Sequence, residues 1–144
     1  MSEENKAIIQ RYCADIWNRW DSSAVDELIS PDIVFRDSLG LTVREIDGFR
    51  GYVSKIRAAF PDFHNSVEDL VAEGNLVAAR LSYQGTHRGE IFSLHPTGQK
   101  ATYSGIAIFR VSGDQIEHGW VMGDAWVLYQ QLLEPEDSSP LEGG

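Results

Sequence analysis

Residues 81–124, LSYQGTHRGEIFSLHPTGQKATYSGIAIFRVSGDQIEHGWVMGD, read as three consecutive β-strands. Their apolar residues recur at every second position, and side chains of a strand alternate between its two faces. One face then carries Leu81, Tyr83, Tyr103, Gly105, Ala107, Phe109, Gly119 and Val121. Packed interiors leave few voids, so very small residues opposite aromatic ones predict a cavity with the aromatics as its walls. Trp17, Phe35, Phe60 and Trp120 are added as further apolar lining for a substrate.

Working outward, residues 3–20 carry apolar groups at Ala7, Ile8, Tyr12, Ile16 and Trp20, flanked by Ile9, Cys13 and Trp17, the stripe of one amphipathic helix. Asp21-Ser22-Ser23 offers an N-cap to a short second helix, AVDELIS, stopped by Pro31. A short strand, IVFRDS (33–38), ends near Asp37. A third helix spans 45–60, with Phe49, Tyr52, Val53, Ile56 and Phe60 on one side and Pro61 as terminator. Strand-like runs occupy 63–74, 76–91, 101–112 and 115–124, with hairpin turns at Gly74-Asn75 and Ser112-Gly113-Asp114. The stretch from Ile91 to Lys100 is a longer loop. A last helix covers 125–134, capped by Asp124, and 135–144 reads as a disordered acidic tail. Helices gathered on one face of a curved antiparallel sheet give an α+β class, with residues 1–134 as one domain around a blind, cone-shaped cavity.

Composition narrows the partners. The 144 residues carry 22 acidic and 12 basic groups, a formal charge of −10, which disfavours nucleic acid and anionic membranes. Cys13 is the single cysteine, so no disulfide closes within the chain. No apolar run approaches the roughly 20 residues that span a bilayer, and a cytoplasmic location is expected. His64, His95 and His118 show no metal-ligand spacing with one another or with Cys13. No phosphate-binding loop, Ser/His/Asp pattern or dinucleotide fingerprint occurs.

Eight short pieces, in order, carry a family resemblance: PDIVFRD (31–37), GFRG (48–51), RAAFPD (57–62), GTHRG (85–89), PTG (96–98), GIAIFR (105–110), the I-x3-W-x3-D run over 116–124, and QQL (130–132). On them the chain resembles the SnoaL-like polyketide cyclases (ester cyclases) of the nuclear-transport-factor-2-like superfamily. The resemblance implies a cone-shaped α+β barrel, a homodimer built on the outer face of the sheet, no cofactor and no metal. It implies a lyase- or isomerase-type enzyme of antibiotic biosynthesis that closes a ring in a polyketide ester. In that pattern an aspartate directly after the tryptophan of the last strand serves as acid/base. Here the residue after Trp120 is Val121, and a second position that is often polar is Ala107. With Gly105 and Gly119, these two describe an enlarged apolar pocket floor.

Three groups remain as candidate catalytic residues. Asp37 ends an otherwise apolar strand and either enters the cavity as acid/base or solvates its rim. His87 shares a face with Leu81 and Tyr83 and either reaches the cavity wall or hydrogen-bonds structurally. Asp124 is either an acid/base or the cap of the last helix. The expected function is a cofactor-independent cyclase for an apolar polyketide-derived substrate, working by shape-templated C–C bond formation, [4+2] included. An aldol cyclase or isomerase using Asp37 or Asp124, or a non-catalytic small-molecule binding protein, are the alternatives.

Overall fold

The computed structural model describes residues 2–133; the tail at 135–144 lies outside them. Helix α1 (Ser2–Arg11) runs directly into a π-helical turn, Tyr12–Trp17. The Asn18 N–H reaches back to the Cys13 carbonyl, the five-residue span that defines this wider turn. Its breadth buries Tyr12, Cys13, Ile16 and Trp17 together. The expected single helix to residue 20 therefore stops at Trp17, and its core side is not the Ala7/Trp20 side. Burial pushes the Cys13 thiol up to about 12, so it is an inert apolar group.

Helix α2 (Ser22–Leu28) is capped by Asp21, whose Oδ1 accepts the Ser23 N–H at 3.0 Å. Strand β1 (Ile29–Arg36) starts at once, so Pro31 lies inside a strand rather than ending a helix. The register of β1 slips between Ile29 and Val34, and such an irregularity tolerates a residue with no N–H to give. A short β2 (Thr42–Arg44), in a stretch the sequence left unassigned, pairs back on β1. Helix α3 (Glu45–Ala59), β3 (His64–Glu73), β4 (Leu76–Thr86), β5 (Lys100–Ser112), β6 (Gln115–Gly123) and α4 (Ala125–Leu133) complete the order.

The strands form one six-stranded sheet in the order β2-β1-β6-β5-β4-β3. Four neighbouring pairs are antiparallel, but β1 and β6 run parallel, so the sheet is mixed rather than antiparallel. A whole helix and four strands separate β1 from β6, far more chain than a parallel connection needs. Burial alternates without a fault along all thirteen residues of β5. Leu81, Tyr83, Tyr103, Ala107, Phe109 and Val121 are all buried, as are Gly105 and Gly119. The expected inner face is thus the core face, covered by the π-helical turn and α3. The α+β cone is as expected.

The β4–β5 connection is docked, not loose. Arg88 and Gly89 both donate to the Ala59 carbonyl at the end of α3, at 2.8 and 3.2 Å. His87 N–H donates to Gln99 O, and Gly98 N–H to His87 O, each at 2.9 Å.

Candidate functional site

The inner face of the sheet, the π-helical turn and α3 enclose a cavity. Its empty space is about 390 Å³ with the open mouth included, but only about 30 Å³ admits the centre of a water molecule. The π-helical turn contributes Tyr12 and Trp17, α3 contributes Tyr52 and Ile56, and the β1 end contributes Phe35 and Ser38. The sheet supplies Asn65, Leu81, Tyr83, Tyr103, Phe109 and Val121, and Phe63 enters from just before β3.

Why so little room remains is visible at the glycines. A Cβ on Gly119 would stand 2.5 Å from Phe35 Cδ1, and one on Gly105 would stand 2.9 Å from Tyr83 Cε2. Each missing side chain is replaced by an aromatic ring packed onto bare backbone. The glycines therefore do not enlarge the floor; they let Phe35 and Tyr83 pack closely against it. Tyr12 stacks edge-on against Phe109 at 5.1 Å, and Phe35 against Phe49 at 5.2 Å, which locks the arrangement.

The walls are also more polar than the sequence suggested. Asn65, Tyr83 and Tyr103 form one cross-strand row, because Asn65 is the register partner of Tyr83 and Tyr83 of Tyr103. The two tyrosine rings are 4.9 Å apart. Ser38 Oγ lies 3.3 Å from the Tyr52 hydroxyl on the far side. Burial, before all other causes, raises the pKa of Tyr12, Tyr52, Tyr83 and Tyr103, so each stays a neutral phenol able to donate. Among the described residues the lining holds no carboxylate, imidazole or cation.

None of the three candidate catalytic groups meets the others or lines the cavity. Asp37 is buried, but its Oδ1 accepts the N–H groups of Leu39 and Leu41 at 2.8 and 3.0 Å. It shapes the β1–β2 turn, so it neither protrudes into the cavity nor solvates a rim. Asp124 is exposed and accepts the Val127 N–H at 3.3 Å, which makes it the cap of α4. His87 lies one residue beyond β4, fully buried beside Phe60. Its Nδ1 accepts the Thr97 N–H at 3.2 Å, which places the neutral ring's proton on Nε2.

Trp120 points the other way: it is 37% exposed on the outer face, with the Arg36 guanidinium 5.1 Å from its ring centroid. Phe60 packs on Gly85 and His87 instead of facing the open space, and Ala107 is buried outside the cavity lining. Tyr12, Ser38, Tyr52, Ile56, Phe63 and Asn65 were not anticipated as lining. Tyr12 and Tyr52 sit on helix stripes that read as ordinary core. Asn65, a lone buried polar residue on a strand, was the available signal. Among the described residues no cluster of His, Cys, Asp or Glu is placed to hold a metal ion.

One pH effect follows from His87. Burial lowers its pKa, with the nearby Gly89 backbone offsetting part of the shift. The unfolded chain, with a histidine near pKa 6.5, then binds more protons than the native state as the pH drops. Unfolding free energy is expected to fall below about pH 6.5, by at most about 1.4 kcal/mol per pH unit from this residue. Urea titrations at pH 7.5, 6 and 5 check this; His87→Gln should flatten the slope, and an unchanged slope would assign it elsewhere.

The SnoaL-like polyketide cyclase family model matches residues 7–132. AclR of Streptomyces galilaeus, provisionally named a hydroxylase, is 29% identical, with a TM-score of 0.79 and coverage of 92% of this chain and 97% of that one. IdmH of Streptomyces antibioticus, provisionally named a polyketide cyclase, is also 29% identical, with a TM-score of 0.77 and coverage of 89% and 97%. A SnoaL-like protein of Jannaschia sp. CCS1 superposes with a TM-score of 0.86 over 93% of this chain and 94% of its own, but at 17% identity it speaks for the fold alone. No curated protein matches the sequence.

Proposed function

The chain belongs to the SnoaL-like polyketide cyclase family, and we propose that it is a cofactor-independent cyclase that closes a ring in an uncharged polyketide-derived chain by holding it in a reactive shape. The observation that carries this reading is the lining itself: aromatic rings, neutral hydroxyls and Val121 surround the space, and Asp37 and His87 are turned away from it. General-base catalysis needs a group that loses its proton near neutral pH within hydrogen-bond reach, and among the described residues the walls offer only phenols that burial keeps protonated. Orientation alone is worth effective molarities of ~10⁵–10⁸ M in the best intramolecular cases. A [4+2] closure fits these means, since it forms two C–C bonds from π electron pairs and moves no proton. A phenol hydroxyl donating to a carbonyl on the alkene partner would assist it by drawing electron density. Entry requires the rings around the cavity to separate, because the resting space is far smaller than a polyketide.

The test is turnover of a linear polyene-bearing polyketide thioester. The expected rate is flat from pH 6 to 9 and free of a solvent isotope effect. Asp37→Asn keeps the Oδ1 acceptor that the turn needs, so its rate is expected within about threefold of the unchanged protein. A bell-shaped profile with a ~10²–10⁴-fold loss in that variant would replace shape templating with acid/base catalysis. Tight binding without faster product formation would make the chain a binding protein.

The outer sheet face supports pairing of two copies. Ile106, Ile108, Trp120 and Met122 are all exposed there, an apolar strip of the kind that marks an interface. A homodimer on a sizing column is the corresponding expectation.

A further inference from the structure

We propose that Asn65 is the specificity-determining acceptor of the cavity, taking a hydrogen bond from an enolic or phenolic hydroxyl of the ligand. The inference rests on the reading of the cavity as a substrate site. It starts from an unsatisfied atom: Asn65 is 4% exposed, and its Oδ1 is buried with no hydrogen-bond partner among the described residues. Buried polar atoms are nearly always paired, and leaving one unpaired costs stability. Such an atom on a cavity wall points to a partner that arrives from outside.

The side chain is not needed to hold the strand. Asn65 N–H donates to Asn18 Oδ1 at 2.7 Å, and Asn18 Nδ2 donates back to Asn65 O at 2.9 Å. This reciprocal clamp, one residue past the π-helical turn, fixes the backbone of Asn65 and leaves its amide free to face inward. Beside it in the same cross-strand row stands Tyr83, whose pKa is raised by burial with no hydrogen bond set against it. An acceptor next to a phenol donor matches the enol form of a 1,3-dicarbonyl, which presents an O–H and a C=O side by side. A charged ligand group is disfavoured, because among the described residues no opposite charge lines the space to compensate its desolvation.

The probes are 2-naphthol and its methyl ether, 2-methoxynaphthalene, titrated into the full-length chain. We expect the naphthol to bind at least tenfold more tightly. Asn65→Leu is expected to cut that preference below twofold with the ether's affinity unchanged. Without any ligand the same variant is expected to unfold at higher urea, because the orphaned atom is gone; a lower midpoint would place Asn65 in the framework and overturn the proposal. If the variant fails to fold, the Asn65 side-chain amide resonance of the unchanged protein decides: it moves with the naphthol and not with the ether. Preference for the ether would mean that the amide presents its N–H₂ instead, and it overturns the assignment. So does an unmoved amide, or a preference that survives Asn65→Leu, while Trp17 and Tyr83 resonances show the naphthol in the cavity; the cyclase reading then stands. Binding of neither probe, with those resonances still, overturns this inference together with the cavity as a ligand site.

Discussion

Gly89→Ala is expected to lower the unfolding free energy by about 2–4 kcal/mol, read from urea midpoints at an unchanged slope. A Cβ at this position would stand 2.1 Å from the Ala58 carbonyl oxygen and 2.7 Å from its carbon. No rotamer moves a Cβ, and the obstacle is backbone at the end of α3, so the β4–β5 connection has to lift. Lifting breaks the two bonds that Arg88 and Gly89 give to Ala59 O, about 1 kcal/mol each. It also loosens Ile91, which is 3% exposed and whose full burial is worth about 1.5–3 kcal/mol. The undocking cost caps the loss, since the clash is relieved once the loop has moved. That loop supplies no cavity residue, so the variant is expected to keep ligand affinity at temperatures where it stays folded. A change under 0.5 kcal/mol would mean that the loop is not seated on α3 as described.

Val121→Asp is expected to cost about 3–5 kcal/mol at pH 7. Val121 is 5% exposed on the cavity wall, and truncating its apolar surface costs about 1.5 kcal/mol. Among the described residues the new carboxyl has no cation to pair with in the cavity; Arg36 donates to the Val121 carbonyl, but its guanidinium stands over Trp120 on the other face. Desolvation therefore raises its folded-state pKa above the unfolded value near 3.9. Keeping the group protonated up to pH 7 costs up to about 4 kcal/mol, at 1.36 kcal/mol per pKa unit. With the folded pKa raised, the native state holds the extra proton. The deficit is then smallest below about pH 3, where both states are protonated, and grows as the pH rises from there toward the folded pKa. Urea unfolding at pH 4.5 and 7 checks the sign. A pH-independent deficit would show that the carboxylate escapes to water.

The inner face of the sheet was legible in the sequence because alternation is local: each strand carries its own record of which residues face the core. The same rule sends Trp120 outward between Gly119 and Val121, so an aromatic residue next to the cavity in sequence is not next to it in space. The filled state of the cavity was not legible. It depends on Phe35 lying across Gly119, a contact made only because β1 and β6 pair in parallel with those two residues in register. Nothing in either segment alone announces that pairing. Asp37 was misleading for a related reason. A carboxylate at a strand end reads as exposed or catalytic, whereas here the next few backbone N–H groups fold back and consume it. The π-helical turn has no local signature either, since its residues also fit an α-helical stripe.

The interlock of Phe35 with Gly119, and of Tyr83 with Gly105, limits how this pocket can change over generations. A shorter side chain at 35 or 83 leaves a hollow over bare backbone, and a larger residue at 119 or 105 collides with a ring that is still in place. Each change is harmful alone and tolerable beside its partner. New cavity shapes are therefore reached through paired substitutions that skip a poor intermediate, and a mutant library built one position at a time would miss most of them.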